Sequence, residues 1–180
     1  MAIAVPTRGR AQDRDEPHRR NAPWVELRTG FGMQRLVCDR GRNQSCPSGD
    51  VAGYSLAVAA GVAPSRWLLV GAEFRRWTQL GWFEEDPFTP DRATYLLATA
   101  QVASPELPLL SLKAAAGAVR YRQAGDAEAR EYPAVGAGVG LANPPWSPFS
   151  LTLHADYLRA FGGDAARPRL VEVGIGMRWR

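Results

Sequence analysis

The sequence predicts an all-β fold, namely an eight-stranded antiparallel up-and-down transmembrane β-barrel. Three observations support this prediction. Eight segments of about ten residues alternate between apolar and polar positions, as strands with two different faces do. The connections between them alternate between short and long. No run in the 180 residues reaches the roughly 18 consecutive apolar residues that a membrane-spanning helix needs.

Each segment has one apolar face and one face of small, polar and charged residues. In the first segment, Leu27 and Phe31 fall on the apolar face, and Glu26 and Arg28 on the other. The fourth segment, near residues 94–102, is the weakest, because Tyr95 and Leu97 interrupt the polar face. A strand that lies between lipid and a polar interior shows this alternation, which also keeps the mean hydropathy low.

The lengths of the connections predict which ends of the strands lie together. Three connections are short and contain proline, near residues 63–66, 104–108 and 143–148. Four are longer and polar, near residues 34–52, 77–93, 122–131 and 160–169. Outer-membrane barrels have short turns at one end and long loops at the other. Both chain termini therefore belong at the short-turn end. Pro133 is expected at the rim, where the sixth strand begins, because proline cannot donate a ladder hydrogen bond.

The polar face is predicted to point into the barrel. An eight-stranded barrel is just wide enough for its own side chains to fill it. The apolar face would be a large aggregation-prone patch in water, so lipid suits it better. Charges of both signs in the interior should pair, because an isolated buried charge costs several kcal/mol. We therefore predict a filled, non-porin interior with a polar network of Glu26, Arg28, Glu73, Arg75, Lys113, His154, Asp156, Glu172 and Arg178.

Aromatic residues occur near the segment ends, where the two aromatic girdles of a membrane barrel belong. The girdle at the short turns is predicted to contain Trp24, Trp67, Trp146, Phe149 and Trp179. The girdle toward the long loops is predicted to contain Phe31, Phe74, Trp77, Tyr157 and Phe161. A β-sandwich with these residues in its core would not explain the alternating loop lengths.

The last segment is apolar at every second position from Val171 to Met177 and ends in Trp179. Over residues 24–180 the chain resembles the OmpA/OmpX-type family of small bacterial outer-membrane barrels, although Arg180 follows the usual terminal aromatic residue. The resemblance implies an outer-membrane location and outer-membrane lipid as a partner. Residues 1–23 are expected to be a disordered leader, the remnant of a truncated signal peptide, because Gly9-Arg10-Ala11 has the small residues that a signal peptidase reads.

Two long loops are the expected contact surfaces for a surface ligand. The loop over residues 34–52 contains Cys38 and Cys46, which are predicted to form a disulfide in an oxidising compartment. The loop over residues 78–92 combines aromatic residues with an acidic run. The sequence has no metal-ligand spacing, and no cofactor is expected. Nucleic acid is not expected either, because acids dilute the arginines of the leader. We expect a monomer.

Three functions fit these features. The first is an integral outer-membrane barrel with a structural or surface-interaction role. The second is a lipid-modifying enzyme, because barrels that this chain resembles include lipid A acyl hydrolases and acyltransferases with a serine and a histidine. His154 could serve there with Ser111 or Ser55 from another strand, but its own neighbours on the strand are about 7 Å away. The third is a soluble barrel that binds a small ligand.

Overall fold

The fold is known from a computed structural model, which describes residues 21–37, 50–80, 91–104, 107, 109–123, 128–142, 148–162 and 167–180. Eight strands account for nearly all of these residues. They are β1 (Ala22–Val37), β2 (Asp50–Ser65), β3 (Leu68–Gln79), β4 (Arg92–Ala103), β5 (Leu110–Arg122), β6 (Arg130–Ala142), β7 (Phe149–Ala160) and β8 (Arg167–Trp179). No helix in this part of the chain has the length and apolar character of a membrane span.

The strands form one closed antiparallel barrel in chain order, and β1 pairs with β8 to complete it. The β1–β8 ladder runs from Val25 opposite Trp179 to Val37 opposite Arg167. Closure gives every strand two neighbours, so that no open sheet edge is left to face hydrocarbon. The predicted fold class, strand number and up-and-down order are therefore confirmed.

The barrel has two different ends. At the turn end, the gaps between strands span residues 66–67, 104–109 and 143–148, beside the first and last described residues. At the loop end, they span residues 38–49, 80–91, 123–129 and 161–166. Several strands extend further into the predicted loops than expected. β1 continues to Val37 and β2 begins at Asp50, so the first loop is shorter than the predicted 34–52. The barrel wall itself begins at Ala22.

The apolar face of the strands points outward and the polar face points inward, as the alternation predicts. Leu56 and Val173 are 59% and 61% exposed on the outer surface, whereas Glu26 and Arg75 are fully buried inside the barrel. The weak fourth segment follows the same rule. Leu96 lies outside, and Tyr95 and Leu97 lie inside. The apolar surface is thus on the outside of the barrel, the reverse of a soluble barrel with an apolar centre.

Two tryptophans of the predicted girdles lie inside the barrel instead, so their assignment was wrong. Trp24 is 3% exposed, and Trp77 is fully buried. The reason is the period of two along a strand, because Trp24 precedes the inward Glu26 by two residues and Trp77 follows the inward Arg75 by two. Trp24 donates its indole N–H to the carbonyl of Val62 at 3.1 Å. Phe31, Phe74, Phe149, Phe161 and Trp179 are exposed, and Trp67 and Tyr157 are half-buried. Trp146 lies outside the described residues.

The interior changes character along the barrel axis. At the loop end, an apolar layer includes Trp77, Tyr95, Val119, Tyr121, Tyr132, Leu158 and Leu170. A smaller apolar cluster of Trp24, Ala59, Ala63 and Leu69 lies at the turn end. The charged residues lie between the two. The sequence-based prediction for the interior names only the ionic residues, and the aromatic layer above them is a finding of the structure.

Pro133 lies within β6 but at the end of a ladder. β6 pairs with β7 from Ala134 opposite Ala160 onward, and the carbonyl of Pro133 accepts the N–H of Phe161 at 2.8 Å. Pro133 is therefore opposite Phe161, and the reciprocal hydrogen bond of this pair cannot form because proline has no N–H. The β6–β7 ladder ends at this pair, so Pro133 lies at the rim on the β7 side although it is inside β6.

Candidate functional site

The candidate site is the polar centre of the barrel. All nine residues of the predicted network are at most 8% exposed. Five strands supply them: β1 (Glu26, Arg28), β3 (Glu73, Arg75), β5 (Lys113), β7 (His154, Asp156) and β8 (Glu172, Arg178). Because inward positions recur every second residue, pairs such as Glu26 and Arg28 follow one another along the same inner face. The barrel then brings these pairs together across its axis.

Glu73 and Asp156 form the middle of the network. Arg75 forms ion pairs with both carboxylates, at 2.8 Å to Glu73 Oε1, and its other terminal nitrogen lies 3.1 Å from Glu172 Oε1. Lys113 Nζ donates to Glu73 Oε2 at 3.1 Å and to Asp156 Oδ2 at 2.8 Å. Each cation thus bridges carboxylates from at least two strands, and the network ties opposite walls of the barrel together.

Glu26 extends the network toward the turn end. Its Oε2 accepts hydrogen bonds from Arg28 and from Arg178, both at 2.8 Å. Thr152 donates its hydroxyl to Glu26 Oε1 at 2.9 Å. Both oxygens of this fully buried carboxylate therefore have partners, as a buried charge requires.

Arg28 and Gln101 connect the surroundings of Glu26 to the rest of the interior. Arg28 also donates to Glu73 Oε2 at 3.0 Å. Arg178 donates to Gln101 Oε1 at 2.8 Å, and Gln101 Nε2 donates to Ser111 Oγ at 2.7 Å. Gln101 is not among the predicted network residues. The alternation along β4 does indicate its inward position, because Gln101 is an even number of residues from the inward Tyr95 and Leu97.

The charges of the network balance. Four acidic side chains (Glu26, Glu73, Asp156 and Glu172) face four basic ones (Arg28, Arg75, Lys113 and Arg178). His154 adds a ring whose Nε2 lies 3.3 Å from Glu172 Oε1. Buried charges of one sign would repel at short range in a low dielectric, whereas this alternating arrangement offsets much of the desolvation cost.

Glycines on β6 and β8 make room for these long side chains. A Cβ atom at Gly138 would lie 2.0 Å from Asp156 Oδ1. A Cβ atom at Gly176 would lie 2.6 Å from Thr152 Oγ1 and 3.0 Å from Arg28 Cγ. Close approach of neighbouring groups is one of the physical reasons for glycine inside a strand. The glycine-rich inner face is therefore part of the packing of the network.

The described residues enclose one small cavity beside the network at the turn end. A cavity of about 10 Å³ lies there beside Gln101, Ser111 and Arg178. That volume is at the lower limit for a single water molecule. The loop end is covered by the apolar layer, where the hydroxyl of Tyr121 donates to Asp91 at 2.6 Å.

The surroundings of His154 do not favour a metal site or a reaction that uses a serine and a histidine. His154, Asp156 and Glu172 have ligand atoms within 4.8 Å of one another, which is close enough to share a metal ion. However, Lys113 and Arg75 already pair with these carboxylates, and a metal ion would have to displace them. Among the described residues, no hydrogen bond joins a serine hydroxyl to His154.

Comparison with known proteins shows a similarity of fold to solved structures. No protein-family model matches the chain, and the curated proteins contain no match either. Among solved structures, the chain is similar to Neisserial surface protein A, with 14% identity, a TM-score of 0.63, and coverage of 87% of this chain and 96% of that one.

Two further structures are similar at lower TM-scores. Ail, the attachment invasion locus protein of Yersinia pestis, is 18% identical with a TM-score of 0.49, and the match covers 87% of this chain and 98% of Ail. The outer membrane protein OprG from Pseudomonas aeruginosa is 8% identical with a TM-score of 0.47, covering 89% and 97%. The predicted resemblance is confirmed at the level of the fold: this chain has the architecture of the small eight-stranded outer-membrane barrels.

Proposed function

We propose that the protein is an integral β-barrel of the bacterial outer membrane, a monomer with a filled, non-porin interior and a structural or surface-interaction role. The outer surface supports the membrane location. Leucine, valine, isoleucine and aromatic side chains cover it on all eight strands, and most of the long ones are 40–66% exposed. Such a surface is stable against acyl chains and would aggregate in water.

The observation that carries the non-porin part of the proposal is the balanced ion-paired network. Side chains from five strands meet at mid-height, where a porin would need open water. Arg75 alone contacts carboxylates on β3, β7 and β8. Opening a channel here would break several buried ion pairs at once, and each broken buried pair costs about 3–5 kcal/mol.

A surface-interaction role is compatible with a filled interior, because binding residues concentrate on loops that a rigid scaffold holds. Most of the two predicted contact loops lies outside the described residues, and so do Cys38 and Cys46. Their disulfide and their contact with a surface ligand stay predictions. The lipid-modifying enzyme is not favoured, because His154 is buried within the network and faces Glu172.

Two measurements test this proposal. The full chain is refolded in detergent and run on a gel with and without boiling, since membrane barrels migrate differently when folded. The same preparation is added to a planar lipid bilayer, and an open porin is the positive control. We expect a heat-dependent shift and no steady conductance. A chain that stays soluble without detergent would contradict the membrane location, and a stable ohmic pore would contradict the filled interior.

A further inference from the structure

Three arginines surround the inner mouth of the barrel at the turn end. Arg178 is the last inward residue of β8, Arg180 follows directly after that strand, and Arg66 lies in the turn between β2 and β3. All three line the cavity of about 10 Å³ beside Gln101 and Ser111, and we call them the mouth arginines. Because Gln101, Ser111 and Arg178 are buried inward residues, the mouth lies on the inner side of the wall, away from lipid.

Two of the mouth arginines have hydrogen-bond donors without an acceptor. Arg178 is 3% exposed and donates from Nε and Nη2 to Glu26 and from Nη2 to Gln101. Its Nη1 has no partner among the described residues. The Nε–H of Arg180 is buried and has no partner either. Buried donors without an acceptor are rare and costly in folded proteins, so an acceptor that enters from the turn end would be stabilised by both groups.

The mouth also has an excess of positive charge over the part of the chain that the structure describes. Glu26 is the carboxylate that Arg178 contacts, and its two oxygens already accept hydrogen bonds from Arg28, Arg178 and Thr152. Arg66 and Arg180 form no ion pair with a described residue. Burial and the charge of Arg178 both lower the pKa of Arg180 from its usual value. A bound anion would remove this repulsion.

The two unpaired arginines are held in position by neighbouring groups. The guanidinium group of Arg66 lies over the ring of Trp67, 4.7 Å from its centroid. A guanidinium group that stacks on an aromatic ring keeps its N–H groups free for hydrogen bonds. The backbone N–H of Arg180 donates to the carbonyl of Pro148 at 3.0 Å. Binding an anion between them therefore requires little further ordering of the chain.

We propose that the mouth arginines bind a soluble phosphate dianion, either inorganic phosphate or a phosphate monoester. The cavity has room for about one oxygen atom, which would face Arg178, while the remaining oxygens stay at Arg66 and Arg180. A tetrahedral oxyanion has oxygens for three guanidinium groups in different directions, whereas a carboxylate has only two oxygens. Guanidinium groups also bind phosphate in a bidentate geometry. The inference goes beyond the proposed function, because a filled barrel needs no anion at its mouth.

The test uses the full chain refolded in dodecyl maltoside without phosphate, and calorimetric titration. Inorganic phosphate, glycerol 3-phosphate and acetate are titrated separately, and the order of the first two distinguishes free phosphate from a monoester. We expect acetate to bind about tenfold or more weakly than the tighter of the two phosphates. The double variant Arg66→Gln/Arg180→Gln should bind phosphate about tenfold or more weakly than the wild type. The matched control is Arg159→Gln/Arg169→Gln, which removes two outward arginines from β7 and β8.

Acetate that binds as tightly as phosphate would overturn the proposal, and so would unchanged phosphate binding in the Arg66/Arg180 variant. An equal loss in the Arg159/Arg169 control would also overturn it, because binding would then reflect only the overall positive charge. Glu106, in the connection between β4 and β5, lies outside the described residues and is a competing acceptor from the chain itself. Phosphate binding that appears only in Glu106→Gln would assign the mouth to Glu106 and overturn the proposal.

Every variant is first checked for its heat-dependent gel shift. A chain that fails to fold in detergent contradicts the proposed function. A folded barrel that does not prefer phosphate contradicts only the anion site, so the two failures are distinguishable.

Discussion

The replacement Glu73→Gln tests whether charge balance stabilises the barrel. Glu73 is fully buried, accepts hydrogen bonds from Arg28 at 3.0 Å and Lys113 at 3.1 Å, and pairs with Arg75 at 2.8 Å. Glutamine has nearly the same shape, so packing changes little. The network would keep four cations but only three carboxylates. Removing one partner from a buried ion pair costs about 3–5 kcal/mol, and we expect a loss of this size in the free energy of unfolding.

The assay is urea unfolding of the protein refolded in lipid vesicles, with stability taken from the transition midpoint and its slope. The matched control is Glu131→Gln, the same chemical change at a carboxylate whose side chain is 72% exposed. Its effect should stay within about 0.5 kcal/mol, because an exposed ion pair contributes little.

A second replacement in the same network separates charge balance from simple loss of contacts. Lys113→Met removes a cation that contacts Glu73 and Asp156. The double variant Glu73→Gln/Lys113→Met is neutral again, so it should be more stable than the sum of the single effects by at least about 1 kcal/mol. Additive effects, or a Glu73→Gln variant as stable as the wild type, would refute the reasoning.

Two further predictions concern the packing of the interior and the first loop. Gly138→Ala should destabilise the barrel by about 1–3 kcal/mol in the same unfolding assay, because the new methyl group would have to displace Asp156 Oδ1 from a distance of 2.0 Å. Ala137→Val on the outward face is its control, and an equal loss there would contradict this explanation. Cys38 and Cys46 should resist thiol labelling in the unfolded protein until a reductant is added. Labelling of both cysteines without reductant would contradict the predicted disulfide.

Much of the fold follows from local properties of the sequence. A period of two assigns each residue to one of two faces, and the composition of the faces decides which one meets lipid. This pattern alone predicts the inward positions of Glu26, Arg28, Glu73 and Arg75, all of which are buried in the barrel. The short, proline-containing turns gave the order and direction of the strands in the same way, because short connections leave neighbouring strands antiparallel.

The predicted orientation of a side chain is wrong where its residue type indicates one face of the strand and its position in the alternation indicates the other. The aromatic character of Trp24 and Trp77 predicts a position at the membrane surface, whereas their spacing from Glu26 and Arg75 predicts an inward position, which is the one the structure shows. The stagger of the strands also lets several inward positions near the loop end form an apolar layer. That layer joins residues from separate strands, such as Trp77, Tyr132 and Leu158, so no single segment reveals it.

Local patterns along the chain are enough to predict the alternation of faces, the number of strands and the set of charges on the inner face. Which of these charges meet depends on the folded barrel. Arg75 pairs with Asp156 although they are 81 positions apart, and Arg178 pairs with Glu26 across 152 positions. These contacts depend on the register of all eight ladders and on closure between β1 and β8. Electrostatic attraction depends on the distance between two charges in space. The separation of two residues along the chain does not give that distance, so the ion pairs cannot be predicted without the closed barrel.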